Sequence, residues 1–191
     1  MSWIAEIRDR LTQPPPRRDP PDPAESAAVL VPLYVDAGSL WVLLTRRADD
    51  LEELGSQVSF PVAVRDTGEE FWEAAIRECE PTLGLDHRTL LQLGELDQVR
   101  LPGGPEVVPC VAAVPWPFEA SPRKDEITEV VNLPLTAVTN PRLVETRAVE
   151  IDGTAREITV YHVGRHRIWG VTATILENLL RRLGMTEEAV R

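Results

Sequence analysis

Short β-rich runs alternate with amphipathic helical stripes along this chain, and few folds accommodate that order. Two β-rich runs, Ala27–Val35 and Leu40–Thr45, are joined by Asp36-Ala37-Gly38-Ser39, whose turn residues predict a hairpin. The spacing of apolar residues predicts a helix over Glu69–Glu80. Its apolar stripe consists of Phe71, Trp72, Ala75, Ile76 and Cys79. Strands arranged around such helices predict one α/β layered domain.

The second half of the chain continues this pattern. Strands are predicted at Leu90–Leu96 and Val107–Val114. A second hairpin is predicted where Asp152-Gly153 separates Leu143–Ile151 from Ala155–Val163. A last helix is indicated by leucines and an isoleucine on one side, by two arginines in its final turn and by a glycine stop. These residues are Ile175, Leu176, Leu179, Leu180, Leu183, Arg181, Arg182 and Gly184.

The N-terminal segment, residues 1–23, is predicted to precede a domain that covers residues 24–191. Trp3, Ile4, Ile7 and Leu11 fall on one helical face behind Ser2, so we expect a short amphipathic helix, with a frayed tail as the alternative. The proline-rich stretch Gln13–Pro23 lacks donors for regular structure, and an extended spacer is favoured over a ligand for proline-recognition modules.

Composition excludes several classes of protein. The chain has 191 residues, 43% of them hydrophobic, which suits one sizeable core. A net charge of −11 and a pI near 4.8 argue against a nucleic-acid partner, which would need clustered Lys and Arg. The two cysteines, Cys79 and Cys110, belong neither to a C-x-x-C pair nor to a pattern of regularly spaced cysteines that would indicate disulfides. A reducing cytoplasm is therefore expected. No apolar window is long enough for a membrane helix, so no membrane association is expected.

One segment, residues 43–63, resembles the signature of the coenzyme A type Nudix hydrolases, L-L-T-x-R-[S/A]-x3-R-x3-G-x3-F-P-G-G. The matching positions are Leu43, Leu44, Thr45, Arg47, Ala48, Phe60 and Pro61. Glu52 stands where the family has arginine, Ser56 where it has glycine, and Val62-Ala63 where it has the glycine pair. The departures therefore fall on the substrate side of the signature.

The next residues resemble the Nudix box, G-x5-E-x7-R-E-U-x-E-E-x-G-U, where U is aliphatic. It can be laid on residues 63–85, and the matches are Glu69, Arg77, Glu78, Gly84 and Leu85. Ala63 replaces the first glycine and Cys79 the aliphatic residue, while Pro81 and Thr82 stand where the family has adjacent glutamates. The resemblance implies an α/β/α sandwich with a mixed sheet, preceded here by the short helix and the proline-rich linker. Shorter similar stretches extend it to about residues 27–183.

The two missing glutamates bear on metal binding. The family hydrolyses a nucleoside diphosphate linked to another group, and divalent cations neutralise the diphosphate that water attacks. Positions 78, 81 and 82 share one helical face, so three carboxylates there would form an oxygen cage for Mg²⁺. Only Glu78 remains, and Glu80 is rotated by roughly 200° from it on a helix. The resemblance implies Mg²⁺ or Mn²⁺ as cofactor, held weakly at Glu78 and Glu69 or not at all.

Pro81 also affects the backbone, because proline inside a helix removes a hydrogen bond and clashes, at a cost of about 3 kcal/mol. We therefore expect the helix to stop near Glu80. Glu69 is expected at the helix start, where a carboxylate favours the dipole. Arg77 is expected to hold the preceding loop through a bidentate carboxylate pair.

The resemblance implies further site residues. Arg77, Glu78 and Glu126 are the candidates for catalysis, and Arg47, Gln57 and Phe60 are the candidates for substrate binding. Glu129 is the alternative to Glu126 as a glutamate outside the box, and a solvated acidic loop is favoured over a catalytic role for both. Arg47 either clamps a phosphate or caps a strand end.

Other reactive residue types have ordinary structural interpretations. His162 and His166 lie in a strand-turn region without other zinc ligands, so each is expected to be a surface histidine or a paired core histidine. Cys79 lies within the apolar stripe, where a small buried hydrophobic residue is favoured over a nucleophile.

Three hypotheses follow. The first is a Nudix-fold protein with lost or weak hydrolysis that binds a nucleotide, a coenzyme A derivative or a protein. The second is an active diphosphatase in which Glu69, Glu95, Glu126 or Glu129 supplements Glu78. The third is an assembly role, in which the N-terminal helix and proline arm pack on a second copy in a homodimer.

Overall fold

The main sheet is organised around a long central strand, β1 (Ser26–Asp36), whose first nine residues are all buried. The computed structural model describes residues 2–18, 26–47, 58–100, 105–123, 125–151 and 154–185. The further strands are β2 (Ser39–Arg47), β3 (Val62–Val64), β4 (Leu91–Glu95), β5 (Val99–Arg100), β6 (Glu106–Ala113), β7 (Ile127–Pro134), β8 (Val144–Ile151), β9 (Thr154–Val163) and β10 (His166–Ile168). The helices are α1 (Trp3–Thr12), α2 (Phe71–Arg77), α3 (Cys79–Leu83), α4 (Leu135–Val138) and α5 (Gly170–Arg182).

The seven-stranded sheet is mixed. Its strands follow the order β4-β6-β1-β2-β7, with β3 added beside β1 and β5 beside β6. β1 and β6 run parallel, whereas the other pairs are antiparallel. A second sheet of three strands, in the order β10-β9-β8, contains the predicted C-terminal hairpin. Both predicted hairpins are confirmed as strand pairs, and the Asp152-Gly153 turn lies outside the described residues.

Alternate side chains of the central strands enter two separate cores. Val29 and Val107 pack on the side of α5, together with Ile175. Ala28 and Val108 pack on the opposite side, together with α2 and α3. Because β1 and β6 are apolar on both faces, each face needs a helical layer to cover it. The expected α/β/α sandwich with a mixed sheet is confirmed.

The N-terminal helix is packed against the domain. Ile7 and Leu11 are buried in the core on the α5 side. The Arg8 guanidinium donates to the Gln92 carbonyl of β4 at 2.8 Å, and Arg10 donates to the Leu183 carbonyl at 2.7 Å. The frayed-tail alternative is therefore wrong for residues 3–12. The apolar residues that motivated the assembly hypothesis are used within the chain itself.

Two elements differ from the sequence-based expectations. Residues 127–134 form β7, paired with β2, although the stretch around Glu126 and Glu129 was expected to be a solvated acidic loop. The predicted single helix over residues 69–80 is two helices, α2 and α3. None of the described helices is long and apolar enough to cross a bilayer.

Candidate functional site

The two helices α2 and α3 meet at Glu78, which is the one carboxylate retained of the three expected at positions 78, 81 and 82. Glu78 ends α2 and precedes α3, with φ −79° and ψ −9°. Its carbonyl accepts a bond from the Thr82 amide at 3.2 Å and a second from the Thr82 hydroxyl. The Thr82 side chain is thus turned back onto the helix and buried, at 4% exposure. Position 82 therefore offers no oxygen to an external cation.

The helix break explains how Pro81 is accommodated. Proline is tolerated in the first turn of a helix, because amides there lack intrahelical partners. By restarting at Cys79, α3 places Pro81 in its first turn, so no helical hydrogen bond is lost. The expectation that the helix stops near Glu80 is wrong for this reason: it breaks earlier, at Glu78, and then continues to Leu83.

Gly84 fixes the end of α3 against a neighbouring loop. Its φ of 71° is a left-handed conformation that ends the helix. A Cβ at this position would lie 2.3 Å from the Ser121 carbonyl oxygen, so only glycine fits. The Ser121 amide donates to the Leu83 carbonyl at 3.1 Å, and the Arg123 amide donates to the Pro81 carbonyl at 2.9 Å. The loop that carries Glu126 is thereby held against the box helix.

Arg77 forms the predicted bidentate pair. Its Nε and one terminal nitrogen each lie 3.1 Å from an oxygen of Glu69, and the guanidinium also donates to the Val64 carbonyl at 2.9 Å. The hydrogen bond from Arg77, followed by one from the Asp66 amide, lowers the pKa of Glu69. The predicted role of Arg77 in holding the loop is confirmed. Glu69 does not open the helix, however, because Glu70 is the N-cap and forms a capping box with Glu73.

The remaining carboxylates do not match the ligand set that a magnesium site needs. Glu69 is committed to Arg77, and Glu78 lies 3.9 Å from the same guanidinium. Among the residues that the structure describes, no group of three or more His, Cys, Asp or Glu side chains is placed to hold a metal ion. A positive charge beside Glu78 opposes a second cation there. The donor set around α2 and α3 therefore does not fit a divalent cation.

The two glutamates outside the box are also paired. Glu126 lies in the turn before β7, with its carboxylate 3.4 Å from Arg123. Glu129 lies within β7, where it accepts from Arg165 at 2.7 Å and faces His166 at 3.4 Å. The structure brings Glu126 into the loop beside α3, whereas Glu129 belongs to a separate group of charges.

The predicted substrate residues lie at different places. Phe60 is buried at 3% exposure and lines a cavity of about 610 Å³. Arg47 is the exposed last residue of β2, and Gln57 lies outside the described residues. Cys79 is fully buried, and desolvation raises the pKa of its thiol to about 12, in keeping with a hydrophobic role.

The cavity beside Phe60 was not predicted. It has a volume of about 610 Å³ and lies between the main sheet, the three-stranded sheet and the start of α5. Three basic side chains, Arg147, His162 and Arg167, also border it. His162 bonds Glu145 at 2.7 Å, so the predicted paired histidine is confirmed. The alternation along residues 145–149 and 158–162 was the available sequence signal, because it predicts which side chains share a face.

A mixed sheet between two helical layers, with a loop and helix locked by Arg77 and Glu69, defines a Nudix-type α/β sandwich. Residues 24–152 match the family model described as NUDIX domain. The chain is 30% identical to the uncharacterized Nudix hydrolase NudL of Photorhabdus laumondii, over 92% of this chain and 94% of that protein. The uncharacterized Nudix hydrolase NudL of Escherichia coli is also 30% identical, over 83% of each chain. The chain belongs to the Nudix family.

Solved structures agree at the level of the fold. The MutT/nudix family protein from Enterococcus faecalis aligns with a TM-score of 0.50 and 16% identity, covering 100% of this chain and 75% of that one. The Ap4A hydrolase of C. elegans aligns with a TM-score of 0.50 and 21% identity, covering 58% of this chain and 80% of that one. At these identities the likeness concerns the fold alone.

Proposed function

We propose that this chain is a Nudix protein in which cation-dependent hydrolysis of diphosphates is lost or weak, and which binds a nucleotide or a coenzyme A derivative. The observation that carries the proposal is the pair Pro81 and Thr82, at the positions where the family places two glutamates. A single carboxylate, Glu78, is left on that face. The binding part of the proposal is supported by membership of the Nudix family, whose hydrolases act on nucleoside diphosphate derivatives.

The surrounding charges support the same conclusion. A divalent cation at this helix would have to displace Arg77 from Glu69, or bind Glu78 with the guanidinium 3.9 Å away. Both alternatives cost electrostatic energy. In this proposal Arg77 is a positioning residue that keeps the loop before α2 in place. Hydrolases of the family generally use Mg²⁺ or Mn²⁺, which neutralise the diphosphate and activate water.

A second candidate function is an active hydrolase that recruits a carboxylate from outside the box. It is favoured by the bond between the Arg123 amide and the Pro81 carbonyl, which holds the loop of Glu126 against α3. Glu126 would have to leave Arg123 before it could bind a cation beside Glu78.

Restoring the two glutamates separates these candidates. The double variant Pro81→Glu, Thr82→Glu is compared with the neutral control Pro81→Gln, Thr82→Gln, and melting is followed with and without Mn²⁺. Cation binding to the folded state raises the melting temperature by mass action. We expect a Mn²⁺-dependent rise for the glutamate variant, and none for the wild type or the glutamine control.

The second candidate predicts a different outcome. A wild-type protein that is stabilised by Mn²⁺ as strongly as the glutamate variant, and that loses this shift in Glu126→Gln, would contradict the proposal. Crystals soaked in MnCl₂ provide an independent check, because Mn²⁺ between Glu78 and Glu126 would identify the supplementary ligand directly.

A further inference from the structure

The cavity beside Phe60 lies on the face of the main sheet opposite to the box helices. Its floor includes Val29 of β1 and Val107 of β6, which pack on the α5 side. Their neighbours Ala28 and Val108 point to the other face, where α2 lies. A ligand in this cavity would therefore be separated from the apolar stripe of the box helix by the thickness of the sheet.

The opposite wall is one face of the three-stranded sheet. Strand pairing aligns Arg147 with Ile158 and His162 with Arg167, so these side chains share a face. Val149 and Ile158 on this face are only half-buried. Apolar side chains on both walls of an open space gain free energy when an apolar body covers them, at about 25 cal/mol per Å².

The lining favours an apolar ligand over a nucleoside. Ten of its sixteen residues carry apolar side chains, so the polar edges of a base and a ribose would find few partners. Polar groups that lose water without a new hydrogen bond reduce affinity. The volume of about 610 Å³ lies within the range of small-molecule sites, and such sites place a few polar groups within a mainly apolar wall.

The charged groups at the mouth of the cavity favour a ligand that carries a negative charge. Arg147 and His162 both bond Glu145, at 3.0 and 2.7 Å, so this carboxylate is already shared. Arg167 is exposed at the mouth, and within the described part of the chain its guanidinium has no hydrogen bond or ion pair. No acidic side chain of the described residues lines the cavity. A chain with a net charge of −11 thus presents a local positive site.

We propose that this cavity binds an amphipathic carboxylic acid, with its apolar body between the two sheets and its carboxylate on Arg167. This ligand is distinct from the nucleotide or coenzyme A derivative of the proposed function, and its binding does not depend on hydrolysis. An alkyl chain satisfies the apolar walls, and a carboxylate suits the planar guanidinium of Arg167, which no described side chain pairs.

Calorimetric titration with three probes that each carry a ten-carbon chain, below their micellar concentrations, tests the proposal. Decanoate carries the proposed head group, decanol is neutral, and decyltrimethylammonium reverses the charge. We expect decanoate to bind the wild type most tightly. Arg167→Gln should weaken decanoate binding about three- to tenfold and leave decanol unchanged, since a partly exposed ion pair is screened by water. Arg88→Gln, which removes an exposed arginine elsewhere, is the matched control and should change the affinity for neither decanoate nor decanol.

A variant that fills the cavity provides the second arm. Val149→Trp places a large side chain at a half-buried position of the wall and should abolish decanoate binding without lowering the melting temperature. Equal affinity for decanoate and decyltrimethylammonium would overturn the proposal, as would unchanged binding in Arg167→Gln. Coenzyme A and ADP-ribose are titrated in parallel. Binding of either one, with no binding of decanoate, would refute the inference and leave the proposed function standing.

Discussion

The two faces of the main sheet use their charged residues differently. On the face of α2 and α3, Arg77 is bonded to Glu69 and lies near Glu78, so the carboxylates of the box are occupied by the protein itself. On the face of α5, one end of the helix is held by a buried ion cluster. The other end borders an open apolar cavity, and Arg167 at its mouth has no ion-pair partner among the described residues. The comparison shows that the box carboxylates lie against an arginine on one face of the sheet, while an apolar cavity bordered by basic side chains lies on the other.

The buried cluster at the end of α5 should give the largest effect. Asp97 accepts bonds from the Arg17 amide at 3.0 Å, from Arg181 at 2.7 Å and from Arg182. Asp97→Asn should lower the free energy of unfolding by about 3 to 5 kcal/mol, because Arg182 would be left buried without its counter-charge. Urea unfolding at pH 7 measures the change. Asp66→Asn, at an exposed aspartate, is the control and should change little.

The same aspartate predicts a pH dependence. Burial acts to raise the pKa of Asp97, but the bonds from the Arg17 amide, Arg182 and Arg181 outweigh it and hold the pKa well below its usual range. The stabilisation is therefore complete above the unfolded pKa of about 3.9 and is lost as the pH falls further. The difference in unfolding free energy between wild type and Asp97→Asn should shrink between about pH 4 and pH 2. A difference that stays constant over that range would contradict this assignment.

A smaller effect is expected at the end of the box helix. Gly84→Ala should cost about 2 kcal/mol, because the methyl group would collide with the Ser121 backbone and the residue has a positive φ. Gly164→Ala is a matched control, since Gly164 has a φ of 59° but open space around it. If both variants lost the same stability, the backbone strain of a positive φ would explain the whole effect. The close contact between Gly84 and the Ser121 backbone would then contribute nothing to stability.

The ion pair of the box should give the smallest effect. Arg77→Gln, Glu69→Gln and the double variant form a cycle whose coupling energy in urea unfolding should be about 1 kcal/mol or less, since Arg77 is 44% exposed. The coupling should decrease in high salt. A coupling near zero at low salt would mean that the pair does not hold the loop before α2.

Local patterns in the sequence predicted much of the fold. The hairpins, α5 and a bidentate carboxylate pair at Arg77 were predicted from turn residues, helical spacing and a familiar motif, which are short-range signals, whereas Glu69 was not predicted as the partner of Arg77. The break at Glu78 was missed because it depends on how Pro81 is fitted into a new first turn. β7 was missed although Ile127, Val131 and Leu133 alternate, because the nearby acidic residues Glu126 and Glu129 suggested a loop.

The cavity required long-range information. Val29, Val107, Val149 and Ile158 belong to four strands in two sheets, and no local pattern states that they face one space. Likewise, Asp97 and Arg182 are distant in sequence, and only the packing of α5 brings them together. The sequence could show which carboxylates were missing from the box, but not that the remaining ones are paired with arginine.

Hydrolysis itself is the most direct test. The chain of residues 1–191 is incubated with coenzyme A or ADP-ribose and saturating Mg²⁺ or Mn²⁺, and product formation is followed by chromatography. With Pro81 and Thr82 in place of two glutamates and Arg77 beside Glu78, turnover should lie far below roughly 1 per second, an ordinary enzymatic rate. Turnover at or above that rate, dependent on the cation and lost in Glu78→Gln, would contradict the account.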